Sequence, residues 1–316
     1  MAKYTLLLLA LAGLAQAQQG SVAGPVAGFV FDRGAQALRP LRGIAGASTV
    51  GDPIDSGYEL TAAYVAPRQD SVLGIAADGS THYFTLSSAT LTEVSIEGLI
   101  AQPQRIAFSP SGTAAALYAN GQAQIVTGLP GAPSLAGSIE LRESARAAHT
   151  TSLAVSDDGA YLLFAVGASI QLASQSGGVR AVMPAGTGAS VAFAPGGHDA
   201  AIAARGTGVL SIRDVPGAAA QQTLAADDGS FEIVAGLGFS ADGKRVFVAS
   251  GAAQSVIALD LAGNRNDVAC NCSPAELAPM GNLFRLNELG AGPLWLADAG
   301  SAPLRIVFVP ALRAAQ

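Results

Sequence analysis

A six-residue phrase that recurs along the chain constrains the fold more than any other feature of the sequence. Each copy joins the end of a short apolar run to a tight turn, and a second apolar run follows at once. Four copies are clear: AFSPSG at 107–112, AVSDDG at 154–159, AFAPGG at 192–197 and GFSADG at 238–243. Their last glycines lie 47, 38 and 46 residues apart. A repeat of about 40–50 residues that holds several strands predicts a β-propeller.

Two weaker copies bracket the four clear ones, YVAPRQ at 64–69 and LFRLN at 283–287. If each copy is the innermost strand of a blade, the chain has six blades. The length that follows the N-terminal leader, divided by the mean spacing of about 44 residues, gives almost seven. We predict an all-β fold, a single β-propeller over residues 18–316 with four-stranded blades, seven in number, and we keep six as the alternative.

The two ends of the chain indicate how the ring closes. Residues 28–32 and 38–42 form a hairpin pattern around Arg33-Gly34-Ala35, with no inner strand before it. Near the C-terminus, residues 283–286, 294–297 and 304–308 give inner strands without an obvious fourth. A propeller must close its ring to remove exposed sheet edges. We expect the N-terminal strands to close it by pairing with the last blade, which places both termini on one blade.

The first seventeen residues have the pattern of a signal peptide. Lys3 supplies a positive charge, residues 5–15 are apolar but too few to span a bilayer, and Ala15-Gln16-Ala17 fits a cleavage site. We predict a mature start near Gln18 and a periplasmic or secreted protein; a retained anchor is the alternative. The junction has no cysteine for a lipid anchor, and no later segment is long and apolar enough to cross a membrane.

Charge and composition exclude one class of partner. Charged residues make up 13% of the chain, the net charge is −6 and the pI is about 5.0. A nucleic-acid-binding surface needs a basic face, so nucleic acid is not expected as a partner. The hydrophobic fraction of 50% is typical of a folded chain. The expected partner is a protein or a small-molecule ligand, and the sequence does not identify it.

The two cysteines, Cys270 and Cys272, are separated by one residue. Export makes a disulfide between them plausible, although the ring that it closes is small and strained. Three interpretations stay open: a disulfide that staples a turn, two free or transiently bridged thiols, and a soft-metal site. The metal site would need further ligands, and none is close in sequence.

The turn phrases resemble a known group of proteins. FSPSG, VSDDG, FAPGG and FSADG are similar to the FSPDG-type repeats of the Tol-system periplasmic propeller and of YVTN and lactonase-like bacterial propellers. Residues 246–251 and 256–261 are close to the YVTN pattern, and VFDRGAQALRPLRGIAGAS resembles the start of uncharacterised exported propellers of acidobacteria-type bacteria. The resemblance covers roughly residues 64–310. It implies the propeller architecture and an exported bacterial protein, and it carries no catalytic residue to a position in this chain.

Few residues are candidates for chemistry or binding. Asp157, Asp158 and Asp242 fit turn positions at which the side chain bonds its own backbone. Alternatively, the turn aspartates converge near a central channel and bind a cation such as calcium. His198 and Asp199 lie together in a turn, where the aspartate could orient the imidazole as a base, although a solvent-facing turn histidine is the simpler interpretation. Trp295 is a core or channel residue or, alternatively, a surface on which a ligand stacks.

The sequence has no nucleophile elbow and no phosphate-binding loop. We therefore expect a non-catalytic exported propeller that acts as a protein- or ligand-binding scaffold in the cell envelope. One alternative is a lactonase-like or other hydrolase with a site at the mouth of the channel, where the turn aspartates and His198 would act. The other is a structural component of an envelope complex. No cofactor is expected, apart from the calcium alternative.

Overall fold

The structure, a computed structural model, describes residues 24–141 and 150–311. The predicted leader at residues 1–17 lies outside these ranges. The described residues form 27 β-strands, which confirms the predicted all-β fold. No helix among them is long and apolar enough to cross a membrane.

The repeated phrase reverses the chain through two cooperating interactions. A buried serine begins the turn: its N–H donates to the carbonyl oxygen five residues later, and its hydroxyl accepts the N–H of that same residue. Three residues after the serine comes a glycine with φ of 69–71°, a conformation that costs other residues energy. The glycine N–H donates back to the serine carbonyl. These turns contain Ser109 with Gly112, Ser156 with Gly159, and Ser240 with Gly243.

Two copies of the turn depart from this pattern. Ala194 keeps the backbone bond, from its N–H to the carbonyl oxygen of Asp199 at 2.7 Å, but has no hydroxyl. In the YVAPRQ copy, Ala66 replaces the serine and Gln69 stands where the four clear copies have glycine. Gln69 has φ of 62°. Holding a non-glycine residue at positive φ costs about 1–2 kcal/mol of conformational energy, which contacts of the Gln69 side chain must offset.

The strands form seven antiparallel sheets that follow the order of the chain, which we call blades 1 to 7. Blade 1 has three strands, β1 (Val26–Asp32), β2 (Ala37–Ile44) and β3 (Ala47–Val50). Blades 2 to 4 have four strands each: β4 (Leu60–Val65), β5 (Ser71–Ala76), β6 (Thr81–Ser87), β7 (Thr90–Glu93); β8 (Arg105–Phe108), β9 (Ala114–Ala119), β10 (Gln122–Thr127), β11 (Ser134–Glu140); β12 (Thr150–Val155), β13 (Tyr161–Val166), β14 (Ser169–Ser174), β15 (Gly178–Pro184).

Blades 5 to 7 also have four strands each. They comprise β16 (Ser190–Phe193), β17 (Ala200–Ala204), β18 (Gly208–Arg213), β19 (Ala220–Ala225); β20 (Val234–Phe239), β21 (Arg245–Ser250), β22 (Ser255–Asp260), β23 (Arg265–Ala269); β24 (Ala278–Met280), β25 (Leu283–Arg285), β26 (Leu294–Asp298), β27 (Arg305–Val309). The arrangement is a seven-bladed β-propeller, as predicted.

The first strand of each blade from 2 to 7 lines a central channel. These inner strands run in the same direction. Each inner strand begins at the loop that connects its blade to the preceding one, and we call this side of the propeller the loop side. Each inner strand ends at a repeated turn, and we call that side the turn side.

Blade 1 runs in the opposite direction. Gly28, near the start of β1, lies against Met280 at the end of β24, on the turn side. The turn after β1 lies on the loop side, where the N–H of Leu60, the first residue of β4, donates to the carbonyl oxygen of Gln36 at 3.3 Å. Strand β1 therefore has the direction of a second strand, and blade 1 contains no inner strand among the described residues.

This reversal explains why two ways of counting blades disagreed. The part of the chain that the structure describes has seven blades but six inner strands, β4, β8, β12, β16, β20 and β24. Five of the six were placed correctly from the turn phrases. In blade 7 the prediction was displaced by one strand, because Leu283–Arg285 is the second strand and the short Ala278–Met280 is the inner one. The strand that the sequence had not revealed is therefore β24, and the predicted run at 304–308 is β27, the fourth strand of the blade.

The N-terminal strands close the ring, but the predicted way was wrong. Blade 7 is complete without them, and β1, β2 and β3 form a sheet of their own. Closure comes from face-to-face packing. Val30 and Leu41 of blade 1 pack against Leu296 and Val309 of blade 7, while Phe29 packs towards blade 2. The first and last strands lie on different blades for the same reason.

Each pair of neighbouring blades shares one apolar cluster, and seven such clusters complete the circle. Strand β13 shows the principle. Leu162 and Phe164 face blade 3, whereas Leu163 and Ala165 face blade 5. A strand buried on both faces is a continuous apolar run, without the alternation of a half-exposed strand. This explains why many short apolar segments occur with so few charges.

The last residue of the inner strand differs in burial between repeats. Phe193 is 1% exposed and lies in the cluster between blades 4 and 5. Phe239, at the same position in blade 6, is only partly buried and lines the channel. We expect Phe193→Ala to lower the free energy of unfolding by about 3–5 kcal/mol and Phe239→Ala to lower it less, because less surface leaves water at that position. Urea unfolding of both variants tests this; equal losses would contradict the difference in burial.

Candidate binding site at the mouth of the channel

The central channel is a cavity with a volume of about 500 Å³. Its walls are the inner strands of blades 2 to 7 together with β1. Small and apolar residues dominate the walls, among them Ala62, Ala107, Ala154, Ala192, Gly236 and Gly238. A concave apolar cavity with a few polar groups at one end is the usual form of a ligand site.

No strand within residues 24–141 and 150–311 pairs with the inner edge of β1, which faces this channel. On the turn side, the N–H of Gly281 in blade 7 donates to the carbonyl oxygen of Pro67 in blade 2 at 2.7 Å, so these two blades meet in front of blade 1. The Gln69 side chain occupies part of the gap: its Oε1 accepts the N–H of Phe29 at 2.8 Å and its Nε2 donates to the carbonyl oxygen of Ala66 at 3.0 Å.

Charged side chains gather at the loop side of the channel. In blade 7, Arg285 donates to both carboxylate oxygens of Glu276, at 2.7 and 3.0 Å. Arg33, from the turn after β1, pairs with Glu288 at 2.7 Å, and both side chains are more than half exposed. Arg105 of blade 3 lines the same cavity. Arginines that are dispersed in the sequence are thus brought to one mouth by three different blades.

Tyr64 lies among these charges on strand β4. Burial raises the pKa of its hydroxyl, and the positive charges of Arg105 and Arg33 act in the opposite direction. Its phenol therefore stays neutral at physiological pH and offers one hydrogen-bond donor inside an apolar wall. Sequence reasoning missed this mouth, because only the blade arrangement brings Arg33, Tyr64, Arg105 and Arg285 together.

Asp157, a predicted ligand-binding residue, joins three blades on the turn side. Its Oδ1 accepts the N–H of Ser111 in blade 3 at 2.8 Å, and its Oδ2 accepts the N–H of Gly196 in blade 5 at 2.7 Å. The hydroxyl of Thr113 also donates to its backbone carbonyl at 2.6 Å. Both carboxylate oxygens are thus engaged by backbone donors of the neighbouring turns.

His198 and Asp158 form a pair between blades 5 and 4. His198 Nε2 lies 2.9 Å from Asp158 Oδ2, and the ring packs edge-on to Tyr161. Burial works to raise the pKa of Asp158, but hydrogen bonds from Ser156, the Ala160 N–H and His198 outweigh it, so the pKa lies below its ordinary value. The His198 imidazole is thus held by the Asp158 carboxylate on the turn side.

The other predicted residues do not join this group. Asp199 accepts the N–H of Asp214 at 2.8 Å, and Asp242 accepts the Ser240 hydroxyl and the Lys244 N–H within its own turn. Trp295 lies on β26, the third strand of blade 7, where its ring is 5.6 Å from that of Phe308. The structure therefore brings together Asp157, Asp158 and His198, while Asp199, Asp242 and Trp295 have separate surroundings.

The turn aspartates and the two cysteines are the candidate metal ligands of the sequence. Within residues 24–141 and 150–311, no group of three or more His, Cys, Asp or Glu side chains is arranged to hold a metal ion. Cys270 and Cys272 are joined as a disulfide, with Cα atoms 4.9 Å apart, after the last strand of blade 6. Calcium binding and the role of the cysteine pair stay predictions.

A second polar network, which the sequence did not reveal, lies around His82 in blade 2. His82 Nε2 lies 2.7 Å from Ser80 Oγ, and its Nδ1 lies 2.7 Å from Glu93 Oε1. The connectivity is that of a nucleophilic triad. However, the Ser80 hydroxyl donates its proton to Asp78 at 2.6 Å, and the Tyr58 ring covers the imidazole at 3.9 Å. We infer that the network has a structural role: it connects β6, β7 and the turn that precedes β6.

The position of Asp157 leads to a stability prediction. We expect Asp157→Ala to lower the free energy of unfolding by about 1–3 kcal/mol, because it leaves two backbone donors without their charged acceptor. Asp242→Ala is the matched control, since that carboxylate bonds only within its own turn. Urea unfolding of both variants measures the difference. A loss no larger for Asp157→Ala than for the control would contradict a role that extends across blades.

The lowered pKa of Asp158 leads to a prediction on pH. Its contribution to stability is present above the ordinary carboxyl pKa of about 4 and is lost as pH falls through the lower folded value. The stability difference between the wild type and Asp158→Asn should therefore shrink below about pH 4. Urea midpoints of both proteins at pH 5, 4, 3 and 2.5 measure it. A difference that stays constant down to pH 2.5 would contradict the assignment.

Comparisons with known proteins show the same architecture. No protein-family model and no curated protein matches the chain. A functionally unknown protein from Desulfotomaculum acetoxidans is similar in structure, with a TM-score of 0.63 and 14% identity over 89% of this chain and 94% of that one. A protein from Lactobacillus plantarum has a TM-score of 0.59 and 16% identity over 90% and 95%.

A third similar structure is the Kuenenia stuttgartiensis hydrazine synthase, with a TM-score of 0.52 and 14% identity over 92% of this chain and 98% of that chain. Similarity at such low identity carries the fold and no activity. The chain is a seven-bladed β-propeller whose channel has a charged mouth.

Proposed function

We propose that this protein is an exported, non-catalytic binding scaffold of the cell envelope, and that the loop-side mouth of its channel is the binding surface. The observation that carries the proposal is the gathering of Arg33, Tyr64, Arg105 and Arg285 around an open apolar channel. The apolar walls supply contact area, and the few polar groups supply orientation.

Rigidity supports a binding role. The mouth residues come from blades 1, 2, 3 and 7, which apolar clusters hold on both faces. A site of this kind needs little rearrangement on binding, so less of the interaction energy is lost in ordering it. The turn aspartates are already bound to backbone donors, which favours a scaffold over the hydrolase alternative.

The leader pattern at residues 1–17 supports export to the periplasm or the exterior, and the FSPDG-type turn phrases support a relationship with YVTN and Tol-type propellers. A disulfide between Cys270 and Cys272 is compatible with an oxidising compartment. A structural role in an envelope complex is the alternative, with the channel then serving as the contact for a neighbouring subunit.

A thermal-shift screen with matched variants tests the proposal. The mature chain is screened against peptides, sugars, peptidoglycan fragments, lactones and divalent cations. Ala107→Trp fills the channel, because Ala107 lines it and is only half-buried. Ala181→Trp is the control, on the exposed outer strand of blade 4. A channel ligand raises the melting temperature of the wild type and the control, since binding stabilises only the folded state, and does not raise that of Ala107→Trp.

Two results would count against a binding channel. One is a panel in which no compound stabilises the wild type. The other is a ligand whose effect is the same in Ala107→Trp, which would place its site elsewhere on the molecule.

A further inference from the structure

The inner edge of β1 carries backbone groups that no described residue of blade 1 pairs with. Phe29 is opposite Pro40 in the β1–β2 ladder, and the Pro40 carbonyl oxygen bonds to Gly51 on the side away from β1. The N–H and C=O groups of Phe29 and, two residues on, of Phe31 therefore point away from β2, towards the channel. Among the described residues, the backbone groups of Phe31 have no hydrogen-bond partner.

Gln69 takes the place of an inner strand along part of this edge, where none of the described residues forms one. The other complete turns place glycine at this position, whereas Gln69 adopts φ of 62°. In this conformation the Gln69 Oε1 accepts the Phe29 N–H. In a blade with an inner strand, a backbone carbonyl oxygen of that strand would accept this N–H. A side-chain amide has the same donor and acceptor as a peptide group, so it can be exchanged for an incoming backbone without loss of a hydrogen bond.

The slot in front of β1 is closed at one end. On the turn side, the bond between Gly281 and Pro67 bridges it, and on the loop side it opens into the charged mouth. A segment that pairs with β1 therefore enters from the mouth, and its pairing ends at this bridge. If it pairs antiparallel with β1, it runs in the direction of the other six inner strands, with its C-terminus leading.

The charges at the mouth restrict the segment further. If the last residue of the segment is opposite Phe29, the residue four positions before it is opposite Arg33. At about 3.3 Å per residue this position lies roughly 13 Å from the end, at the mouth. The Arg33 guanidinium forms one exposed pair with Glu288 and keeps further donors, so an acidic side chain is the complementary residue there.

We propose that the edge of β1 binds the C-terminal tail of a partner protein, which adds to blade 1 as its fourth, innermost strand and carries an acidic residue about four positions from its end. This inference rests on the proposed function and names the class of partner that the channel accepts. Main-chain hydrogen bonds to Phe29 and Phe31 provide the affinity. The ion pair with Arg33 provides the preference for an acidic residue at that position of the tail.

Fluorescence anisotropy with the peptide Gly-Asp-Thr-Val-Thr-Val tests the proposal. The label is on the N-terminus, the carboxylate is free and the mature chain is the receptor. N-methylation of the third residue from the end, whose N–H faces Phe31, should weaken binding about tenfold or more, since it removes a bond and adds a clash. N-methylation of the second residue from the end, whose N–H points into the channel, should change binding less than about threefold. A peptide that carries the label on its C-terminus should not bind.

Variants of the receptor test the two named side chains. Gln69→Gly restores the residue that the other turns use and removes the competing acceptor, so we expect binding about threefold to tenfold tighter. Arg33→Gln should weaken binding of the Asp peptide about threefold to tenfold and leave an Asn analogue unchanged. Ala107→Trp should abolish binding, and Ala181→Trp should not alter it.

Equal losses from the two N-methyl peptides would overturn strand addition, as would binding of the C-terminally labelled peptide. Displacement of the peptide by N-acetyl-aspartate alone, at similar concentration, would reduce the mouth to a simple anion site and also overturn the proposal. If no peptide binds while another compound stabilises the wild type but not Ala107→Trp, the proposed binding function stands and this inference fails.

Discussion

Face-to-face packing of apolar blades is the interaction on which the rest of the structure depends. Each four-stranded sheet is buried on both faces, and residues of one strand alternate between two neighbours, as Leu162 and Leu163 do. A sheet with two apolar faces is unstable alone and must be enclosed by others. Closing the row into a ring gives every blade two neighbours and leaves no apolar face in water.

The need for closure explains the form of blade 1. Strand pairing with blade 7 is not required, because packing of Val30 and Leu41 against blade 7, and of Phe29 against blade 2, already covers both faces. Three strands suffice for this packing. Among the described residues this leaves the inner backbone edge of β1 uncovered, apart from the part that the Gln69 side chain occupies. The channel is asymmetric as a result, and its charged mouth lies beside the incomplete blade.

The polar residues of the turn side have a structural role that sequence patterns predicted only in part. Asx-type bonding within a turn was the local interpretation, and it describes Asp242. Asp157 instead reaches the turns on both sides, which no local pattern can reveal, since its partners are 46 and 39 residues away in sequence. His198 likewise depends on Asp158 of the preceding blade. On the loop side, Glu93 reaches His82 only through strand pairing.

The sequence by itself determined the all-β propeller, the turn chemistry and five of the six inner strands. These depend on local physics: apolar runs of strand length, a serine that bonds the chain five residues on, and a glycine at positive φ. Only the tertiary structure decided the direction of blade 1, the true inner strand of blade 7 and the mouth formed by Arg33, Tyr64, Arg105 and Arg285. These features depend on which blades become neighbours when the ring closes, and that is a property of long-range packing which no segment of the chain contains.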